Sequence, residues 1–167
     1  MFSLLRASVF LFLLLPGVLI AQGKAVKGID ENATLDQTRT WLLDALPKYA
    51  STKTRTSATN LTDVKFDGCN LSFTIVRKVG SSSEAVMGTT RTVNSMKQEH
   101  SLALADIEAG GIQVTPSLYP EFETLSISWE PAGQDDTRVI ELTVKSVAAG
   151  AIRFALDRAR ALCTQPK

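Results

Sequence analysis

The stretch from Val147 to Cys163 limits the fold more than any other part of the chain. Its apolar residues recur at spacings of three and four, and its charged residues keep mostly to the other side. This pattern is typical of a helix with one buried face. The apolar stripe consists of Ala148, Ile152, Ala155, Leu156, Ala159, Leu162 and Cys163. We expect this helix to pack on a sheet formed by the strand-like sequence before it.

A second helix is predicted near the start of the folded region. Thr34 and Gln37 have the spacing of a capping box, in which the two side chains accept hydrogen bonds from free amides of the first turn. Apolar residues then follow one stripe as far as Pro47, which lacks an amide donor and is expected to end the regular part. The polar segment 51–60 is predicted to be a loop.

From Leu61 onward the apolar period changes from about 3.6 to 2, which is typical of strands with one buried face. Asp67 and Gly68 lie between two alternating runs and predict a hairpin with a type I′ turn. The serine-rich segment 80–88 is predicted to be a loop, and the threonine-rich segment 89–97 an edge strand. The remaining predicted strands contain His100 and Leu102, Ile112 and Val114, Leu125 and Ile127, and Ile140 and Leu142.

These elements predict an α+β fold. It has an N-terminal helix, six or seven antiparallel strands in a curved sheet or barrel, and a C-terminal helix packed on the sheet. Antiparallel order follows from the short connections, because parallel neighbours need crossovers of about a dozen residues or more. The element order is also that of pleckstrin-homology-like barrels, but a shared order of elements implies no function.

The N-terminal residues 1–21 have the layout of a signal peptide, with Arg6, an apolar run and a small residue at Ala21. We expect cleavage after Ala21 or Gly23. The apolar run is broken by Pro16 and is shorter than the roughly 20 residues that a membrane helix needs, so no membrane span is expected after cleavage. The sequence therefore predicts an exported protein, either periplasmic or extracellular.

The rest of the chain divides into a flexible leader, residues 22–33, and a single α+β domain, residues 34–167. Removal of residues 1–21 takes away one basic residue and no acidic one, which leaves 17 of each. A nucleic-acid binder needs a basic surface to neutralise phosphates, and such a surface is not apparent in the sequence. We therefore expect no nucleic-acid partner.

The two cysteines, Cys69 and Cys163, are predicted to form a disulfide. Export takes the chain to a compartment where disulfides persist, and the chain has only these two cysteines. Both fall on the apolar side of their elements by period. The alternative is a pair of buried thiols that do not meet.

Several segments together resemble a group of uncharacterised secreted bacterial proteins. They are TRTWL at 38–42, DGCNLSF at 67–73, LALADIEAGGIQV at 102–114 and ALC at 161–163. The resemblance spans most of the mature chain. It implies a bacterial, exported domain and implies no activity.

The single histidine, His100, is the one candidate for a catalytic base. A hydrolytic triad would place it beside a serine such as Ser101 or Ser95, with a carboxylate such as Asp106 to orient the ring. Nothing in the local sequence selects a nucleophile, so a structural role is favoured. The lone histidine and the distant cysteines lack the paired spacing of zinc sites. We predict no catalytic residue, no metal site and no cofactor.

The segment from Ser117 to Phe122 is the one predicted loop with clustered large apolar residues. Leu118, Tyr119 and Phe122 are candidates for a binding loop, because aromatic residues dominate binding hot spots. The alternative is that they fold back and plug one end of the sheet. Burial of both rings would establish the plug.

The sequence thus favours an exported, non-enzymatic small domain that binds an unknown protein or a small apolar ligand. Two alternatives stay open. One is a secreted hydrolase-like enzyme that uses His100, and the other is a carrier that holds an apolar ligand between the sheet and the C-terminal helix. An apolar cavity under that helix would favour the carrier.

Overall fold

A computed structural model describes residues 25–53, 57–85, 88–133 and 135–165. The predicted signal peptide lies outside the described residues. The elements are α1 (Leu35–Tyr49), β1 (Thr52–Lys53), β2 (Ser57–Asp67), β3 (Asn70–Ala85), β4 (Gly88–Ala103), β5 (Ile107–Pro116), β6 (Phe122–Trp129), β7 (Arg138–Lys145) and α2 (Ser146–Cys163). A short 3-10 turn, Leu104–Asp106, joins β4 to β5.

The seven strands form two antiparallel sheets, and this confirms the predicted α+β class. One sheet has the order β1-β2-β3-β4, and the other has the order β5-β6-β7. The two sheets do not join into a closed barrel. We call the face of each sheet that packs against the helices the inner face. α1 packs on α2 and β2, while α2 packs on β5, β6 and β7.

α1 begins at the predicted capping box. The Thr34 hydroxyl accepts a hydrogen bond from the Gln37 amide at 3.3 Å, and the Gln37 side chain accepts one from the Thr34 amide at 2.9 Å. The prediction that Pro47 ends the regular helix is wrong, because α1 continues to Tyr49. The last turn keeps hydrogen bonds that do not need the proline amide: Ala50 N donates to Leu46 O, and Ser51 Oγ donates to Pro47 O.

The hairpin between β2 and β3 is present, but its turn differs from the predicted one. Asp67 pairs with Asn70, so the two loop residues are Gly68 and Cys69 rather than Asp67 and Gly68. Of these residues only Gly68 has a positive φ, +56°. A glycine with positive φ at the first central position is the pattern of a type II′ turn, so the type I′ assignment is wrong.

Two polar segments predicted as loops contain strands. β3 extends to Ala85 and β4 begins at Gly88, paired in register, within the segment 80–88. β1 and the start of β2 lie within the segment 51–60. The backbone ladder forms without apolar alternation, which marks only those strands that have one buried face. The prediction that residues 89–97 lie at an edge is confirmed, because β4 is the last strand of its sheet.

The core lies between the inner faces of both sheets and the two helices. From α2 it takes Ala148, Ala149, Ile152, Ala155, Leu156 and Ala159, all fully buried. From the sheets it takes alternate residues, among them Leu71, Phe73, Ile75, Leu125, Ile127, Ile140, Leu142 and Val144. This confirms the predicted apolar stripe of the last helix as far as Ala159, whereas Leu162 and Cys163 are half-buried. The period-2 alternation of the strands also matches the residues that are buried.

Cys69 and Cys163 form the predicted disulfide. Their Cα atoms are 5.8 Å apart, and 94 positions separate them in the sequence. The bond joins the β2–β3 turn to the last residue of α2. The carbonyl of Cys69 also accepts a hydrogen bond from Leu104 N at 2.9 Å. One turn therefore holds together the first sheet, the connection to the second sheet and the end of α2.

Residues 25–33, part of the segment predicted as a leader, run along α2. Val26 N donates to Val147 O at 2.9 Å, and Arg158 Nε donates to Ala33 O at 3.1 Å. Val26 and Ile29 pack against the core.

We expect replacement of both cysteines by alanine to lower the free energy of unfolding. The chain-entropy model gives about 4 to 5 kcal/mol for a disulfide that closes a loop of this length. Denaturant unfolding of wild type and of the Cys69→Ala, Cys163→Ala double variant measures the difference. Wild type in reductant should match the double variant, and reductant should leave the double variant unchanged. Two free thiols in denatured, unreduced wild type would contradict the bond.

Candidate functional site

Leu118, the most exposed of the large apolar residues whose burial is described, lies on the predicted binding loop. We call residues 117–121, between β5 and β6, the tip loop. Leu118 is 99% exposed and Tyr119 is 56% exposed, while Phe122, the first residue of β6, is half-buried. Leu118 and Tyr119 therefore do not plug the sheet. The structure therefore separates the three candidates into an exposed pair, Leu118 and Tyr119, and one half-buried ring, Phe122.

The tip loop is held at its base by hydrogen bonds. Ser146, the first residue of α2, donates its amide to Glu121 O and its hydroxyl to Pro120 O, both at 3.0 Å. Within the loop, Phe122 N donates to Tyr119 O at 2.9 Å. These bonds fix the loop against the start of α2 while its two large apolar side chains project into solvent. A contact surface that is already ordered loses less conformational entropy when it binds.

The sequence explains why the loop projects. Pro116 ends β5 and Pro120 precedes β6, and neither residue has an amide to continue a strand ladder. Residues 117–119, between the two prolines, therefore lie outside both strands, and Leu118 and Tyr119 are exposed. Glu121 is exposed as well, and Lys145, which pairs with Phe122, is exposed beside it. The apolar tip thus has charged neighbours.

His100 lies on the inner face of β4, where it pairs with Phe73. The two ring centroids are 5.6 Å apart, and Phe73 is buried. His100 Nε2 is buried and has no hydrogen-bond partner in the described part of the chain. Burial lowers the pKa of His100 below its ordinary value, and the positive charge of Arg77 lowers the pKa further.

The strand geometry separates His100 from the serines considered as its nucleophiles. Adjacent residues of a strand point to opposite faces, so Ser101 lies on the face away from His100. Ser95 shares the parity of Ser101 along β4 and lies on that same outer face. A general base must come within hydrogen-bond reach of the proton it takes, and neither serine has that geometry.

A shallow polar depression lies on the first sheet, and two of its lining residues, His100 and Ser101, were named in the sequence analysis. It has a volume of about 390 Å³, and its lining also includes Asp63, Lys65 and Glu99. A β-bulge in β2 between Thr62 and Lys65 shapes it, and Asp63 within the bulge has a φ of +54°. Aspartate tolerates a left-handed backbone conformation better than most residues, so Asp63 can occupy this position in the bulge.

Neither of the depressions described for this molecule lies under α2. One is the depression on the first sheet, and the other, of about 280 Å³, lies between β7 and the first sheet. No residue of α2 lines either one. The buried residues of α2 pack tightly against the strands, so neither depression extends under the helix. The geometry of α2 therefore lends no support to a carrier site beneath it.

Within the described residues, no group of three or more His, Cys, Asp or Glu side chains is placed to hold a metal ion. A search of the same residues finds no helix with the length and apolar character needed to cross a membrane.

The lowered pKa of His100 predicts a pH dependence of stability. The folded chain favours the neutral ring, so protonation favours the unfolded chain, and the free energy of unfolding falls as the pH falls through 6.5. A His100→Gln variant should lose less stability than wild type between about pH 7.5 and about pH 5.5. NMR titration of this single histidine measures its pKa directly, and a midpoint at or above 6.5 would contradict the expectation.

Comparison of this chain with protein-family models, with curated proteins and with solved structures finds no match. The resemblance to uncharacterised secreted bacterial proteins therefore stays a prediction.

Proposed function

We propose that this chain is an exported, non-enzymatic domain that binds a partner protein through the tip loop. The observation that carries the proposal is the full exposure of Leu118 on a loop whose base is fixed by hydrogen bonds. A fully exposed leucine contributes nothing to the core of its own domain. Burial of such a side chain against a partner stabilises a complex by about 1.5 to 3 kcal/mol.

The surroundings of Leu118 match the anatomy of a protein contact. Tyr119 adds a large amphipathic ring beside it, and tyrosine is enriched in binding hot spots. Exposed charged residues, Glu121 and Lys145, border the pair. Protein interfaces combine an apolar centre with a polar rim, and the tip loop has both at small scale.

Two features support export. Residues 1–21 have the composition of a cleavable signal peptide. The Cys69–Cys163 disulfide is of the kind that persists in oxidising compartments, such as the periplasm or the extracellular space. The same bond removes both thiols from consideration as nucleophiles. His100, the remaining candidate base, faces the core with Phe73 rather than a serine, and this supports a role other than catalysis.

We expect the full-length chain, expressed in a bacterium with an outer membrane, to be recovered from the periplasm without residues 1–21. N-terminal sequencing of the recovered protein should begin at Gln22 or Lys24. A Phe10→Arg, Leu14→Arg double variant, which places two charges in the apolar run, should stay in the cytoplasm at full length. Recovery of uncleaved wild type from the membrane fraction would contradict export by cleavage.

We expect a photo-crosslinking residue at position 118 to capture the partner in envelope extracts of the source cells. The matched control places the same residue at position 154, because Phe154 is also a large apolar residue and is 44% exposed on α2. The proposal requires a specific adduct at 118 that is absent at 154 and weakens at least tenfold in the Tyr119→Ala background.

The loop variants should still fold normally, because surface substitutions change stability by about 0.5 kcal/mol or less. Thermal unfolding of Leu118→Ala and Tyr119→Ala tests this. Equal adduct patterns at positions 118 and 154 would reject the tip loop as the contact.

A further inference from the structure

β4 leaves a long strand edge open at the end of the first sheet. In the described part of the chain, β3 is the only strand paired with β4, and no other element packs extensively against it. Residues 94–99 are all exposed, on both faces of the strand. Among the apolar residues at this end of the sheet, Met96 is 59% exposed and Val79 of β3 is 57% exposed. An unpaired strand edge presents free backbone donors and acceptors to any extended chain that reaches it.

The register of the β3–β4 hairpin shows which backbone groups of β4 are free. Leu104 follows β4, and its amide donates to Cys69 O at 2.9 Å, which continues the β3–β4 register as a hydrogen-bonded pair. Hydrogen-bonded and non-hydrogen-bonded pairs alternate along an antiparallel ladder. The even-numbered residues of β4 therefore bond to β3. The amide and carbonyl groups that point to the open edge are those of Ser95, Lys97, Glu99 and Ser101.

The charges on this edge are arranged symmetrically. Lys97 and Glu99 lie on the outer face, on either side of Gln98, which lies on the inner face. Within the described residues, neither Lys97 nor Glu99 takes part in an ion pair. A lone lysine on an edge strand discourages pairing with another strand. Here, however, the carboxylate two residues away complements the lysine of an antiparallel strand that has the same sequence.

A second copy of β4 that pairs antiparallel about Gln98 brings these charges together. Directly opposite residues of an antiparallel pair point to the same face, so a two-fold symmetric pair is centred on a residue. With Gln98 opposite Gln98 of the second copy, each Lys97 lies opposite the Glu99 of the other copy. A centre shifted by one residue places Lys97 opposite Lys97, or Glu99 opposite Glu99. Opposite charges across a ladder stabilise a sheet, and like charges destabilise it.

The same register also satisfies the open backbone groups. Lys97 with Glu99, and Ser95 with Ser101, form hydrogen-bonded pairs across the two copies, because all four residues present their amides and carbonyls to the edge. On the inner face, Met96 lies opposite His100 of the second copy. A thioether beside an aromatic ring is a favourable contact, and it covers part of an exposed apolar side chain.

We propose that this chain forms a two-fold symmetric dimer in which β4 of each copy pairs antiparallel about Gln98. The four strands of the first sheet then continue into the four strands of the second copy. Such an interface uses the same surface on both subunits, as is usual for homodimers. The tip loop lies between β5 and β6 of the other sheet. The dimer is therefore separate from the partner contact proposed above, and neither proposal depends on the other.

The first test measures the monomer–dimer equilibrium of the mature, disulfide-bonded chain by sedimentation velocity. Lys97→Glu and Glu99→Lys each place like charges opposite each other at two symmetry-related positions, so each should raise the dissociation constant about tenfold or more. The double variant Lys97→Glu, Glu99→Lys restores both pairs of opposite charges and should return to within about threefold of wild type. The matched control is Lys53→Glu, the same charge change on the exposed Lys53 of β1, at the opposite edge of the sheet. It should leave the equilibrium unchanged.

Three results of this test overturn the proposal. One is a chain that stays monomeric at every concentration. Another is a dimer that the two single reversals do not weaken. The third is a double variant that unfolds at the wild-type temperature but does not recover the dimer, because the charges would then not lie opposite each other.

The second test examines the register without changing the charges. Gln98→Cys places two thiols directly opposite each other at a non-hydrogen-bonded pair, where Cα atoms lie about 4.5 Å apart, within reach of a disulfide. Ser95→Cys is the matched control, because Ser95 lies opposite Ser101 and the two introduced thiols are then too far apart to bond. Under mild oxidation, Gln98→Cys should form a covalent dimer about tenfold faster or more than Ser95→Cys. Equal rates overturn the register.

Two further outcomes assign the edge or the dimer elsewhere and also overturn the proposal. If the chain stays monomeric and hydrogen exchange at residues 95–101 slows only after envelope extract is added, the edge binds another protein. If Leu118→Ala abolishes the dimer and Lys97→Glu does not weaken it, the copies associate through the tip loop.

Discussion

The burial of one face of α2 against the second sheet is the interaction on which the rest of this structure depends. The inner face of α2 is completely buried, with Ala148, Ile152, Leu156 and Ala159 among its residues. Alanine at alternate turns lets the helix approach the strands closely, and Ile152 and Leu156 fill the space between them. This packing orders the second sheet directly, because α2 contacts β5, β6 and β7.

The first sheet is fixed less directly. It is held by α1, which packs on both α2 and β2, and by the Cys69–Cys163 bond at the end of α2. Arg39 of α1 also donates a hydrogen bond to the carbonyl of Gly68, in the turn next to the disulfide. All of these contacts lie toward one end of the first sheet. The other end, with Val79 and Met96, extends past the helices, and the sheets stay separate there.

The sequence predicts those helices and strands in which buried apolar residues alternate regularly with exposed polar ones. The stripe of α2 and the alternation of Leu71, Phe73 and Ile75 follow from contact with the core, so their periods identify the elements. Segment 80–88 and the start of β2 have no such period, although their backbones pair in register. The type II′ turn was missed because Asp67 stays in its strand and the turn begins one residue later.

The exposed apolar surfaces also differ in how far the sequence alone identifies them. Leu118 and Tyr119 were identifiable because large apolar residues are unusual between two prolines. The exposed positions of Val79 and Met96 were not identifiable, since these residues alternate as core residues do and Arg77 interrupts the pattern as a surface residue does. Only the position of the helices shows that this stretch of inner face is uncovered. The position of β7 at the end of its sheet likewise depends on the strand order, which the local sequence does not encode.

The tip loop and the start of the described chain lie at the same end of the molecule. Val26 N bonds to Val147 O, and the neighbouring Ser146 bonds to Glu121 and Pro120. Cleavage after Ala21 or Gly23 would leave only a few residues between the new N-terminus and this point. Cys163 is at the far end of α2, about 27 Å away for a helix of 18 residues. A bulky group on the mature N-terminus would thus lie beside Leu118 and compete with a partner there. The same group after Cys163 would leave the tip loop accessible.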